Sequence, residues 1–261
     1  AEYKAKEKPF LFRNHRPDTI GEWEGNTPLL FRIPTVTRVH WTDVVRGELS
    51  AGEDSLDDFI IMKADGYPTY NFAHIIDDHE MGVTHVMRGE EFIASTPKFL
   101  SLYDALEIPR PIFVTLPPIM GPDGKKKLSK RDGSKDLLDY RADGYLPAAL
   151  RNFLALIGWN PGGEQELLSD KELLEQFSLD RIQKSGGAFN PEKLNWMNHK
   201  YLQSLTEAEQ VAYVVKALPH REAAIVARLT PTILERIHHQ ADIQAADRAG
   251  EYDWAFGAIS Y

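Results

Sequence analysis

The chain has 261 residues, 43% hydrophobic and 26% charged, an ordinary balance for a soluble globular fold. Its 39 acidic and 30 basic side chains leave a net charge of −9. That argues against sequence-independent coating of nucleic acid but leaves room for an RNA contact through a local basic patch. There is no cysteine, which excludes disulfides and thiolate zinc sites and fits a reducing cytoplasm. No apolar run approaches the roughly 18 residues of a membrane span, and no signal peptide is visible.

Residues 1 to about 72 read as short strands and turns. Leu29–Pro34 and Asp58–Ala64 are β-rich, and Asp65-Gly66 and Tyr67-Pro68 mark turns. Val36, Val39, Trp41, Val44 and Val45 lie between them and predict a meandering antiparallel sheet. A helix is expected from about Thr69 to Glu80, with Tyr70 and His74 four residues apart on one face. Thr84–Arg88 is a short apolar strand. Ser95 or Thr96 can cap a helix with Pro97 in its first turn, and Phe99, Leu100, Tyr103 and Leu106 follow at helical spacing. Ile112–Leu116 is a second strand, so residues 84–116 predict a parallel βαβ unit.

Ligands of open parallel sheets bind beyond the carboxyl ends of the strands. The first of these strands ends at Arg88, Glu90 and Glu91, and the second leads into Gly121-Pro122-Asp123-Gly124 and Lys125 to Arg131. Both features are expected on one crevice. Between Gly121 and Lys135 six cations face two acids, against the balance of the whole chain. Lysines around a hydroxyl, after a glycine turn that lets the backbone come close, suit a polyphosphate; a solvated surface loop is the plainer reading.

Beyond the loop the chain reads as helical. Leu146, Ala149, Leu150, Phe153, Leu154 and Ile157 make one apolar face between Pro147 and Gly158. Ser169 with Glu172, and Thr206 with Glu209, are capping boxes. Asn190-Pro191 opens a helix carrying Leu194, Met197 and Tyr201, and short helices fill 206–250.

Other polar clusters admit two readings each. Asp77-Asp78-His79 looks ligand-like, but adjacent carboxylates diverge and no second cluster completes a metal shell. Tyr70 and His74 could offer a phenol and an imidazole to a small ligand, or could belong to a helix packed on the sheet. Arg88 suits a substrate carboxylate, or an internal pair with Glu90 or Glu91. No nucleophile constellation, P-loop or general-base pair is present, so any chemistry would be positioning and stabilisation of phosphate charge.

Lys127-Leu128-Ser129-Lys130-Arg131 resembles the second signature of the class I aminoacyl-tRNA synthetases in its glutamyl form. The run DGYPTYNFAHIIDDHEMGVTHVMRGEEFIASTPK (65–98) with GPDGKKKLSKRDG (121–133) is similar to bacterial-type glutamyl-tRNA synthetase. Asp43-Val44-Val45-Arg46-Gly47, Tyr145-Leu146-Pro147, Gly158-Trp159 and Phe189–Tyr201 extend the resemblance over nearly the whole chain. It implies an α/β fold: the second half of a Rossmann-type parallel core with an α+β acceptor-stem insertion and C-terminal helical domains. The implied division is an acceptor-stem-binding insertion over 1–72, the nucleotide-binding half over 73–139, a helical stem-contact domain over 140–205 and the start of an anticodon-binding domain over 206–261.

The implied activity is ATP-dependent attachment of L-glutamate to tRNA(Glu) through glutamyl-adenylate, with Mg2+ and without zinc, in a cytoplasmic monomer. Carried over, Tyr70, His74 and Arg88 would hold glutamate. Glu91, Met120, Lys127, Leu128, Ser129, Lys130 and Arg131 would contact ATP, with Lys127 and Lys130 stabilising the triphosphate. The family's HIGH-type signature has no match here, so the chain is expected to be a fragment inactive by itself. The competing readings are a non-catalytic tRNA-binding fragment and a glutaminyl or glutamyl-queuosine relative.

Overall fold

The computed structural model describes residues 10–129 and 135–257, and the chain divides into two compact units, 1–116 and 117–261. Among the described residues the first unit carries the strands β1 (Leu29–Phe31), β2 (Val39–Asp43), β3 (Gly47–Ala51), β4 (Phe59–Met62), β5 (His85–Gly89) and β6 (Ile112–Leu116). It also carries two α-helices, α1 (Tyr70–Glu80) and α2 (Thr96–Ala105). β1 pairs antiparallel with β4, and the other four strands form one sheet in the order β3-β2-β6-β5.

The expected βαβ unit is present. β5 passes through a 3-10 segment, Glu90–Ser95, and α2 into β6, which lies parallel to it from His85↔Ile112 to Gly89↔Leu116. The first strand starts at His85, one residue later than expected. Neither Ser95 nor Thr96 caps α2 through its side chain; the Thr96 hydroxyl donates to the Phe92 carbonyl instead, and Pro97 supplies the first turn. Residues 39–51, expected in a separate meander, extend the central sheet. The β2–β3 hairpin is antiparallel, and β2 joins β6 in parallel at Asp43↔Phe113. Trp41 and Asp43 point inward while His40 and Thr42 point outward, so β2 has one face to bury. The sheet therefore draws strands from both sides of the expected boundary near residue 72.

The core of this unit joins Ile33, Leu56 and Phe59 to Ile75 of α1 and Phe99, Leu102 and Tyr103 of α2. Burying each such side chain contributes about 1.5–3 kcal/mol, so Phe99 and Tyr103 of the spacing read in α2, with Ile75 of α1, hold the two helices in this core.

The second unit is helical, with α3 (Leu137–Asp143), α4 (Pro147–Gly158), α5 (Asp170–Gln176), α6 (Pro191–Ser204), α7 (Glu207–Ala217), α8 (Ala223–Leu234) and α9 (Gln240–Arg248). α4 has the ends expected from Pro147 and Gly158. Both expected capping boxes are formed, at Ser169/Glu172 and Thr206/Glu209, and Asn190 accepts two amides at the start of α6. A third box, Asp136/Asp139, starts α3. α4 and α6 share a core of Leu150, Phe153, Ile157, Phe189, Leu194 and Met197.

Candidate functional site

Glutamate-binding candidates Tyr70, His74 and Arg88 all lie in the first unit. Tyr70 opens α1 and is exposed; its ring stacks on His74 one turn later, with centroids 4.8 Å apart and planes 15° apart. The ring of His74 meets the edge of Phe99 at 4.5 Å. Arg88, near the end of β5, lies over two aromatic rings, with Cζ 4.9 Å from the Phe92 centroid and 5.4 Å from that of Phe99. The helical period of α1, the 3-10 segment and α2 thus build one aromatic wall around a guanidinium and an imidazole.

Two polar atoms of this wall are buried and have no partner: Arg88 Nη1 and His74 Nε2. Nδ1 of His74 donates to the Tyr70 carbonyl at 2.7 Å, which fixes the tautomer, because a carbonyl only accepts. Burial pushes the imidazole below its ordinary value of 6.5; the bond to Tyr70 opposes this, and the charge of Arg88 adds to it. His74 is therefore neutral at pH 7 and offers a bare acceptor, while Arg88 offers an unused donor. Burial also pushes the Tyr103 phenol up to about 12, helped by Asp78. Leaving such groups unsatisfied costs about 1–3 kcal/mol each, and a ligand carrying both an anion and a donor removes that cost.

The internal pair envisaged for Arg88 is not made with Glu90, which pairs with Arg46 at 3.1 Å. Glu91 is exposed, and its carboxylate folds back against Gly89, where an added Cβ would lie 2.4 Å from Oε2. Sequence reasoning assigned Phe99 to the core and passed over Phe92; a guanidinium one strand-end away from aromatic residues was the available signal.

The phosphate-loop candidates belong to the second unit, and Lys130 and Arg131 lie outside the described residues. The loop is a tight hairpin. Leu128 N–H donates to Ile119 O at 2.8 Å, Gly121 N–H to Lys126 O at 2.7 Å, and Gly124 N–H to Gly121 O at 2.8 Å. Gly124 takes φ +66, the left-handed conformation that the turn requires. Lys125, Lys126 and Lys127 are exposed, as is Ser129. Leu128 packs against the α4–α6 core, so the apolar residue of the signature anchors the loop while its neighbours face water.

Met120 ties the base of this hairpin to 187–189. Its N–H donates to Gly187 O at 2.9 Å, and its carbonyl accepts from Phe189 N–H at 2.8 Å. A nucleotide contact to the Met120 backbone is thus limited to the carbonyl's second lone pair. Among the described residues no group of His, Cys, Asp or Glu could hold a metal ion, and no helix is long and apolar enough to cross a membrane.

The family model for tRNA synthetases class I (E and Q), catalytic domain, matches residues 14–196. A glutamate–tRNA ligase of Heliobacterium modesticaldum is 48% identical over 205 residues, covering 78% of this chain and 40% of that protein. One of Clostridium botulinum, strain Loch Maree, is 41% identical over 252 residues, covering 93% and 51%. A solved glutamate tRNA ligase of Elizabethkingia meningosepticum, in complex with its amino acid, superposes with a TM-score of 0.81 at 33% identity, covering 95% of this chain and 56% of that one. The chain spans about half the length of the relatives it matches.

Proposed function

This chain belongs to the class I tRNA synthetases (E and Q), and from that premise we infer that it serves the ATP-dependent attachment of L-glutamate to tRNA(Glu). The observation that carries the reading is the pair of buried, unpartnered atoms at Arg88 and His74. A donor fixed in charge and an acceptor fixed in tautomer, beside an exposed phenol, match an amino acid that brings both a carboxylate and a hydrogen-bond donor. The likeness to glutamate–tRNA ligases supports glutamate as that amino acid.

In this reading a carboxylate oxygen of glutamate attacks the α-phosphorus of ATP. Pyrophosphate leaves and glutamyl-adenylate forms; a ribose hydroxyl of tRNA then displaces AMP. Tyr70, His74 and Arg88 orient the amino acid. Lys127 and Lys130 offset the negative charge that builds on the phosphates, and Ser129 donates beside them. Glu91, Leu128, Arg131 and the Met120 backbone complete the ATP contacts. The described residues contain no metal cluster, so Mg2+ would arrive on the nucleotide's own phosphates. The protein works in the cytoplasm as a monomer, with insertion, stem-contact and anticodon-binding parts over 1–72, 140–205 and 206–261.

The test is Arg88→Lys in the full-length enzyme. A lysine keeps the charge but loses the planar fork, so the Michaelis constant for glutamate should rise by about tenfold or more. An unchanged constant would make Arg88 structural.

A further inference from the structure

The geometry points to Asp43 as a positioning residue for Arg88, acting across the sheet through Thr115 and one buried water. This rests on reading Arg88 as the arginine that binds glutamate. The register of three strands carries the inference. Arg88 of β5 is paired with Thr115 of β6, and Phe113 of β6 is paired both with Val86 of β5 and with Asp43 of β2. Partners in register point to one face of a sheet, and so do residues two apart along a strand. Asp43, Thr115 and Arg88 therefore form a row across β2, β6 and β5 at the carboxyl ends of the strands. They line a common cavity of about 10 Å³, with Phe92 and Thr96 also in its wall.

The chemistry of the row leaves one opening. Asp43 is 2% exposed. Its Oδ1 accepts from the amides of Val45 and Arg46, each at 2.9 Å, and its Oδ2 accepts from the Thr115 hydroxyl at 2.7 Å. The single proton of Thr115 is spent on Asp43, so the remaining lone pairs of Thr115 require a donor. Among the described residues Asp43 makes no ion pair, a costly state for a buried carboxylate. Arg88 is the cation that borders the same cavity. A cavity of this size holds about one water. Such a water accepts from the guanidinium and donates to Thr115, joining Arg88 to the Asp43 charge. The guanidinium plane is then set from behind, by a residue that does not touch the substrate, and the fork stays aimed when no ligand is bound.

The experiment uses two variants of the full-length enzyme and one structure. Asp43→Asn keeps an oxygen for the two amides and puts an amide donor against Thr115, whose proton then turns toward the cavity. The row loses its acceptor at the Arg88 end. The expected result is a rise of about tenfold in KM for glutamate, the size of losing one hydrogen bond to a charged group. The constant for ATP and the melting temperature stay unchanged, and kcat changes by less than about twofold, since the contact that Arg88 makes is the same in the ground and transition states. Thr115→Val, which removes the hydroxyl at nearly constant volume, should reproduce the rise in KM for glutamate if Asp43→Asn fails to fold, with a lower melting temperature because Asp43 Oδ2 loses its partner. Equal rises for glutamate and ATP, or no rise in either variant, would overturn the inference. If Arg88→Lys raises the glutamate constant and Asp43→Asn does not, the positioning role fails alone; if neither does, the reading of Arg88 fails first. A high-resolution crystal structure supplies the last check: a water bonded to Thr115 Oγ1 and Arg88 supports the row, and a dry cavity overturns it.

Discussion

Gly187→Ala tests whether the lysine loop is held by the contact between its base and residues 186–189. A Cβ at Gly187 would lie 2.1 Å from the Ile157 carbonyl oxygen and 3.0 Å from its carbon. Both are backbone atoms in the last turn of α4, so no side chain can swing aside. The segment must retreat, and the bond from Met120 N–H to Gly187 O at 2.9 Å is the first to go. Overpacking of this kind costs about 1–3 kcal/mol, and a lost hydrogen bond adds about 1 kcal/mol. Replacing glycine returns about 0.4–1 kcal/mol through the unfolded chain. The net destabilisation should be about 1–3.5 kcal/mol. Equilibrium urea unfolding gives the number, with Gly163→Ala as the control, because nothing lies within 4 Å of a Cβ there. Since Leu128 and Met120 share this anchor, the same variant should raise KM for ATP before it changes KM for glutamate. A loss below about 0.5 kcal/mol, or a loss equal to the control's, would refute the anchoring argument.

Two further outcomes can be measured. Lys127→Ala and Lys130→Ala in the full-length enzyme should each lower pyrophosphate exchange, measured with tRNA present, by about ten- to a hundred-fold, since a charged hydrogen bond is worth about 1.5–3 kcal/mol; a change under twofold would remove either lysine from the role. His74 and His239 are both held below the ordinary value of 6.5, chiefly by burial. Their unfolded forms take up protons first, so stability should be full above pH 6.5 and decline as pH falls below it; thermal melts from pH 7.5 to 5.5 should flatten in His74→Gln, and an unchanged slope would refute the assignment for that residue.

Local signals in the sequence were read with most success where one residue type has one structural use. Pro147 and Gly158 bound a helix because a proline fits a first turn and the chain must leave α4 at Trp159. Ser169 and Thr206 cap because each finds its glutamate three residues on. Strands were less legible. Residues 39–51 alternate like any half-buried hairpin, and nothing in that alternation says which strand the hairpin adds to. The contacts that join it to β6 are long-range ones: Val44 N–H donates to Phe113 O, and the Thr115 hydroxyl reaches Asp43 across 72 positions of sequence.

The same limit separates the residues of the candidate site that could be found from those that could not. Tyr70 and His74 share a helix face at a spacing any reader can count, and Arg88 follows a strand. The lysine loop stands out by charge alone. Phe92 and Phe99, which hold the guanidinium, are spelled like core residues, because in packing terms they are core residues. Asp43 is hidden more deeply. Acidic side chains in a strand-turn-strand segment ordinarily cap the turn, and Asp43 does so with Oδ1. Only the second oxygen, turned under the sheet toward Thr115, departs from that habit. Sequence spacing can predict which face a side chain takes, but not which of its two oxygens does the second task. A buried carboxylate that serves a turn with one oxygen and a neighbouring strand's hydroxyl with the other thus becomes visible only when the strands are laid side by side.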